Sequence, residues 1–213
     1  MRAVKQVLRN QTVAVRWVKG MIVLCVLAPL TFHLTPRVAE AAELMAGAAK
    51  VELRLPAKIP LAGYSRRHGK PSTGVHDPVS VRALVLRDQD TTVALVSIDL
   101  LIIDERLYAA VQQRLHQTHP AIELLLAATH THSGPGAYGQ TFLEKISMGH
   151  YDPAAFDALV TQIAQVVAVA AETTEPVTAL RTAVIETHGL VVNRMREDGV
   201  VDPELVAVSV DTR

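Results

Sequence analysis

The chain has 213 residues, 49% hydrophobic and 20% charged, enough for one domain with a sizeable core and too apolar for intrinsic disorder. Lys and Arg total 21 against 21 Asp and Glu, and aromatic residues are 4%, which argues against a nucleic-acid binder with its basic excess and stacking surface. One cysteine, Cys25, excludes an intrachain disulfide and a multi-cysteine zinc site, so a metal would need His and carboxylate ligands.

The first 41 residues read as an address. Arg2, Lys5, Arg9, Arg16 and Lys19 precede the apolar run from Met21 to Leu30, and Ala39-Glu40-Ala41 follows as a small-x-small cleavage pattern. A spanning helix needs about 20 apolar residues, and this run is shorter and holds Pro29. Residues 1–41 are therefore expected to be a secretory signal peptide. The remainder, 42–213, is then expected to work outside the cytoplasm, secreted or periplasmic.

Residues 56–78 are rich in proline and glycine and predict a long ordered loop. Val81–Leu86 and Val93–Leu100 read as strands around an Asp88-Gln89-Asp90 turn, the second so apolar that cover on both faces is expected. Asp104 predicts a helix cap, with Leu107, Val111 and Leu115 on one stripe. Ile122–Ala128 is another buried-strand pattern, so strand, helix and strand imply a parallel βαβ unit. Asp152-Pro153 opens a second helix with an apolar stripe from Phe156 to Ala170, and strands are expected near 178–187 and 205–211. The class is α/β: a mixed sheet with flanking helices.

Chemistry concentrates in Thr129-His130-Thr131-His132-Ser133-Gly134-Pro135-Gly136, directly after a strand, where ligands bind in open α/β sheets. Alternation along an extended segment would point His130 and His132 to one side. Two imidazoles beside a Gly-Pro-Gly loop suit a metal or an anionic transition state. Two strand-end histidines that merely bond the loop would give the same spacing. Asn193-Arg194 follows an apolar pair, and Arg194 is either a surface charge or a fork for an oxyanion or carbonyl. No nucleophile elbow and no phosphate-cradling glycine loop is present, so neither a serine triad nor a nucleotide cofactor is expected.

In order and spacing, several blocks resemble the N-terminal part of the neutral/alkaline non-lysosomal ceramidases. They are Gly47–Val51, Ile59–Tyr64, Gly74–Pro78, Arg82–Leu86, Ser97–Leu100, Thr129–Pro135 and Asn193-Arg194. Glu52–Pro56 departs from the family's usual Asp-Ile-Thr-Pro run. The resemblance implies zinc-dependent hydrolysis of the amide of an N-acylsphingosine. It makes His130 a zinc ligand, sets His132 beside the metal to steady the scissile carbonyl, and puts Asn193 and Arg194 on the substrate. A lipid substrate brings a membrane surface into consideration as a partner. The family's other zinc ligands, a second His, a Glu and a Tyr, lie beyond the position of Arg213, so 42–213 is expected to be the N-terminal portion of a catalytic domain. A relative acting on another amide or ester, or an inactive envelope protein, would be the alternatives.

Overall fold

The computed structural model describes residues 43–193 and 195–213. The expected signal segment and Arg194 thus lie outside the described residues. In chain order the elements are β1 (Met45–Glu52), β2 (Ser80–Asp88), β3 (Thr91–Ile98), α1 (Glu105–His116), β4 (Ile122–Ala128), α2 (Phe142–Met148), α3 (Pro153–Glu172), β5 (Glu175–Glu186) and β6 (Glu204–Thr212). A single 3-10 turn, Ser65–Arg67, sits in the long loop between β1 and β2. The strands form one mixed sheet in the order β4-β3-β2-β1-β5-β6. β3 and β4 are parallel with α1 as their crossover, and the other neighbours are antiparallel. The α/β class and the βαβ unit are both present.

Local chemistry sets the helix starts. The Asp104 carboxylate accepts the Leu107 amide at 2.7 Å, and Leu107, Val111 and Leu115 face the core from α1. The Asp152 carboxylate accepts the Ala154 amide at 2.8 Å, and Pro153 enters the first turn of α3, where its missing N–H costs nothing. Arg114 of α1 bridges to Asp157 (2.9 Å) and Thr161 (2.8 Å) of α3, holding the helices side by side.

Burial corrects one expectation. The apolar runs of β3 and β4 are covered on one face only. Residues opposite each other in the ladder share a face, and Val81, Ala83 and Val85 of β2 face Ile98, Val96 and Ala94 of β3, all buried. The other face carries Leu95 and Leu125, paired across β3 and β4 and 39% and 55% exposed. The run of apolar residues suggested two covers, but the core cluster holds the α1 and α3 stripes with the strand residues of the first face alone.

β5 touches β1 only at Met45↔Pro176 and Ala46↔Glu175, then pairs with β6 along most of its length. It leaves from the N-terminal end of β1 and runs opposite to β1, β3 and β4. The hairpin is therefore an arm whose residues are mostly exposed.

Candidate functional site

The parallel pair β3–β4 delivers the histidines to its C-terminal edge. The Thr129 amide donates to the Ile98 carbonyl at 2.9 Å, and then the chain leaves the sheet. His130 has φ 59°, in the left-handed region that costs a non-glycine residue roughly 1–2 kcal/mol. The extended run expected through this motif is thus broken at its first histidine. The imidazoles still converge, with Nε2 atoms 3.4 Å apart and ring centroids 5.0 Å apart. They converge across a left-handed residue rather than along an extended strand.

Each ring is set by its other nitrogen. His130 Nδ1 donates to the Leu101 carbonyl at 2.8 Å. A carbonyl only accepts, so Nδ1 holds the proton and Nε2 presents a lone pair, the tautomer that metal-binding histidines use. His132 Nδ1 is buried and has no hydrogen-bond partner. It lies against Gly63, whose φ is 106° and where a Cβ would stand 2.7 Å from that nitrogen. A buried bare lone pair is tolerated better than a buried bare N–H, which assigns the His132 proton to Nε2. His132 therefore donates toward His130 and toward whatever enters between them.

The long loop supplies the wall behind His132. The Ala62 amide donates to the Gly134 carbonyl at 3.0 Å, and the Gly136 amide to the Pro60 carbonyl at 2.7 Å. This ladder seats the Tyr64 ring edge-on to His132, 4.9 Å between centroids. Arg67 donates to the carbonyls of Ala62 (2.8 Å) and His132 (2.7 Å), and its guanidinium lies 4.8 Å over the Tyr64 ring. Gly63 and Tyr64 belong to one block of the resemblance and Arg67 follows it in a turn-rich loop, but only the fold shows the three to be neighbours of His132.

Asp99, at the end of β3, accepts from the Ser80 amide (2.9 Å), the Ser80 hydroxyl (3.1 Å) and Arg82 (3.2 Å). Burial pushes its carboxyl up, but these donors outweigh burial and hold it below the usual carboxylate value. A cavity of about 1040 Å³ opens beside it, walled by Leu53, Leu55, Ile59, Val75, Thr131 and Ser133 among others. Thr131 and Ser133 reach this cavity, while His130 and His132 are not among its lining residues.

Asn193 is not gathered here. In the β5–β6 connection its Oδ1 accepts from the amides of Met195 (3.0 Å) and Arg196 (3.1 Å), and its amide donates to the Val200 carbonyl (3.1 Å). Among the described residues, no third His, Cys, Asp or Glu joins the histidine pair in a metal-sized cluster.

The site is thus a pair of converging imidazoles at the end of a parallel strand pair on a mixed α/β sheet. Residues 53–204 match the family described as neutral/alkaline non-lysosomal ceramidase, N-terminal. That match spans well over half of the chain, and the chain belongs to this family. It is 31% identical over 113 residues to the neutral ceramidase of Pseudomonas aeruginosa, covering 50% of this chain and 17% of that protein. The neutral ceramidase of Mycobacterium tuberculosis is 29% identical over 113 residues, covering 49% and 18%. The fold is that of a solved structure described as ceramidase complexed with C2, with a TM-score of 0.71 at 24% identity over 80% of this chain and 29% of that one. The Pseudomonas aeruginosa neutral ceramidase structure gives 0.68 at 23%, over 79% and 29%. The chain thus spans under a fifth of the length of these curated relatives.

Proposed function

We propose that residues 42–213 are the N-terminal portion of a hydrolase that splits the amide of an N-acylsphingosine into sphingosine and a fatty acid. Family membership supports the reaction class. The observation that carries the site is the His130 ring, fixed by Leu101 so that its Nε2 lone pair faces His132 Nε2. That donor set fits zinc at His130, as one of the three protein ligands a catalytic zinc takes. Zinc bound there supplies Lewis acidity toward a carbonyl and a source of hydroxide at neutral pH.

The chain's own contribution is orientation and charge stabilisation. His132 Nε2–H is positioned to donate to the amide oxygen as water adds to the carbonyl carbon and the oxygen gains negative charge. Gly63 backs that imidazole, and Arg67 holds the His132 backbone carbonyl. Collapse of the adduct breaks the C–N bond, and the amine leaves with the proton given up by the attacking water. Asn193 and Arg194 are proposed to meet the substrate on the strength of the resemblance. Residues 1–41 are proposed to direct export, which N-terminal sequencing of the mature protein tests.

The test is fatty-acid release from N-acylsphingosine by the full-length gene product. His130→Ala is expected to abolish release, and His132→Ala to lower kcat by about 100-fold or more, as loss of an oxyanion donor does. Unchanged turnover in His130→Ala contradicts the assignment.

A further inference from the structure

α2 is amphipathic in a way the fold does not use. At about 100° per residue, Phe142, Ile146 and Leu143 fall within roughly one 100° arc. They are 76%, 43% and 75% exposed, whereas Met148 on the far side is buried. The helix is securely formed: the Thr141 hydroxyl accepts the Glu144 amide (3.3 Å), and the Glu144 carboxylate accepts the Thr141 amide (2.7 Å). Three large apolar side chains are thus held in water on a rigid turn.

This helix is coupled to the histidine site. The Gly63 amide donates to the Ser147 carbonyl at 2.9 Å, so the turn carrying Tyr64, itself 54% exposed, abuts the C-terminal half of α2. The surroundings are basic. The turn that abuts α2 carries Arg66, Arg67 and Lys70 with no acid from 63 to 76, and Lys145 lies beside the apolar stripe. The acid of α2, Glu144, is engaged in its cap and with Arg106 at 3.0 Å.

We infer that Phe142, Leu143, Ile146 and Tyr64 form a docking surface for an anionic lipid bilayer, seating the histidine site at the membrane where an acyl lipid resides. The choice of a bilayer rests on the substrate reading above and on charge: exposed Arg66, Lys70 and Lys145 complement anionic headgroups while the apolar stripe enters the acyl boundary.

The experiment uses the full chain with Cys25→Ser and Leu143→Cys carrying an environment-sensitive fluorophore. Vesicles are phosphatidylcholine alone or with phosphatidylserine, with and without a bilayer-embedded nitroxide quencher. Expected is a several-fold rise in emission on phosphatidylserine vesicles that the nitroxide quenches, while a probe at Val184→Cys on the arm stays unquenched. Arg66→Glu with Lys145→Glu should weaken partition to those vesicles by about tenfold or more. A position-143 probe that stays in water on vesicle-bound chain overturns the surface, whatever other segment holds the chain there. Emission that rises with protein concentration alone overturns it in favour of a second copy. Equal partition to neutral vesicles overturns the anionic choice. The readout needs no turnover, so docking by a chain whose full-length gene product releases no fatty acid sinks the substrate reading and leaves the surface standing; hydrolysis by that product with an unquenched probe does the reverse.

Discussion

The four-stranded body and the β5–β6 arm are written in similar residues and end in opposite environments. In the body, Val81, Val85 and Ile98 are fully buried; in the arm, Val184 and Val208 are 60% and 59% exposed. Both regions alternate and both hydrogen-bond their backbones. The difference is that α1 and α3 lie over one face of β1–β4, while the arm joins β1 through two residue pairs and then runs clear of both helices. Strand patterning reports the pleat; whether a face is covered depends on where the connections carry the helices.

The largest effect that can break this comparison is core truncation. Leu107→Ala or Ile163→Ala should lose about 2–5 kcal/mol in denaturant unfolding, and Val184→Ala about 0.5 kcal/mol or less. Equal losses would mean that the arm carries structural weight the fold does not show.

Next comes Tyr138, buried between α2 and the body, whose hydroxyl donates to the Ile102 carbonyl at 3.0 Å. Burial pushes its pKa up to about 12. Its neutral form is favoured in the fold, so its contribution is complete below pH about 10 and is lost as pH rises toward 12. That loss is roughly 2–3 kcal/mol and should vanish from the pH–stability profile of Tyr138→Phe.

The smallest effect is at a cap. Asp152→Ala should cost about 1 kcal/mol by unbinding the first turn of α3, whereas Asn193→Ala, which closes a turn in the arm, should change global stability by about 0.5 kcal/mol or less. Paired unfolding curves of the two variants sharpen the contrast.

Periodicity and caps made the body legible. Leu107, Val111 and Leu115 follow Asp104, and the strand residues 122–128 were readable to the residue. α2 is missing from the sequence reading although Thr141-x-x-Glu144 is a capping-box signal; seven residues are too few for its apolar stripe to repeat as a period. At the site, the pairing of His130 with His132 was readable from their spacing, but its cause was not. It depends on a left-handed residue, on Leu101 29 residues away and on Gly63 across a loop ladder. Such contacts have no local signature, because composition announces a turn without announcing what the turn packs against.

In the intact site the His130 Nε2 lone pair is expected to take zinc. The direct measurement is equilibrium dialysis of the metal-free full-length gene product against zinc, alongside its His130→Ala and His116→Ala variants. A site at His130 predicts saturable uptake of about one zinc per chain, lost in His130→Ala and retained in His116→Ala. Uptake unchanged by His130→Ala would contradict it.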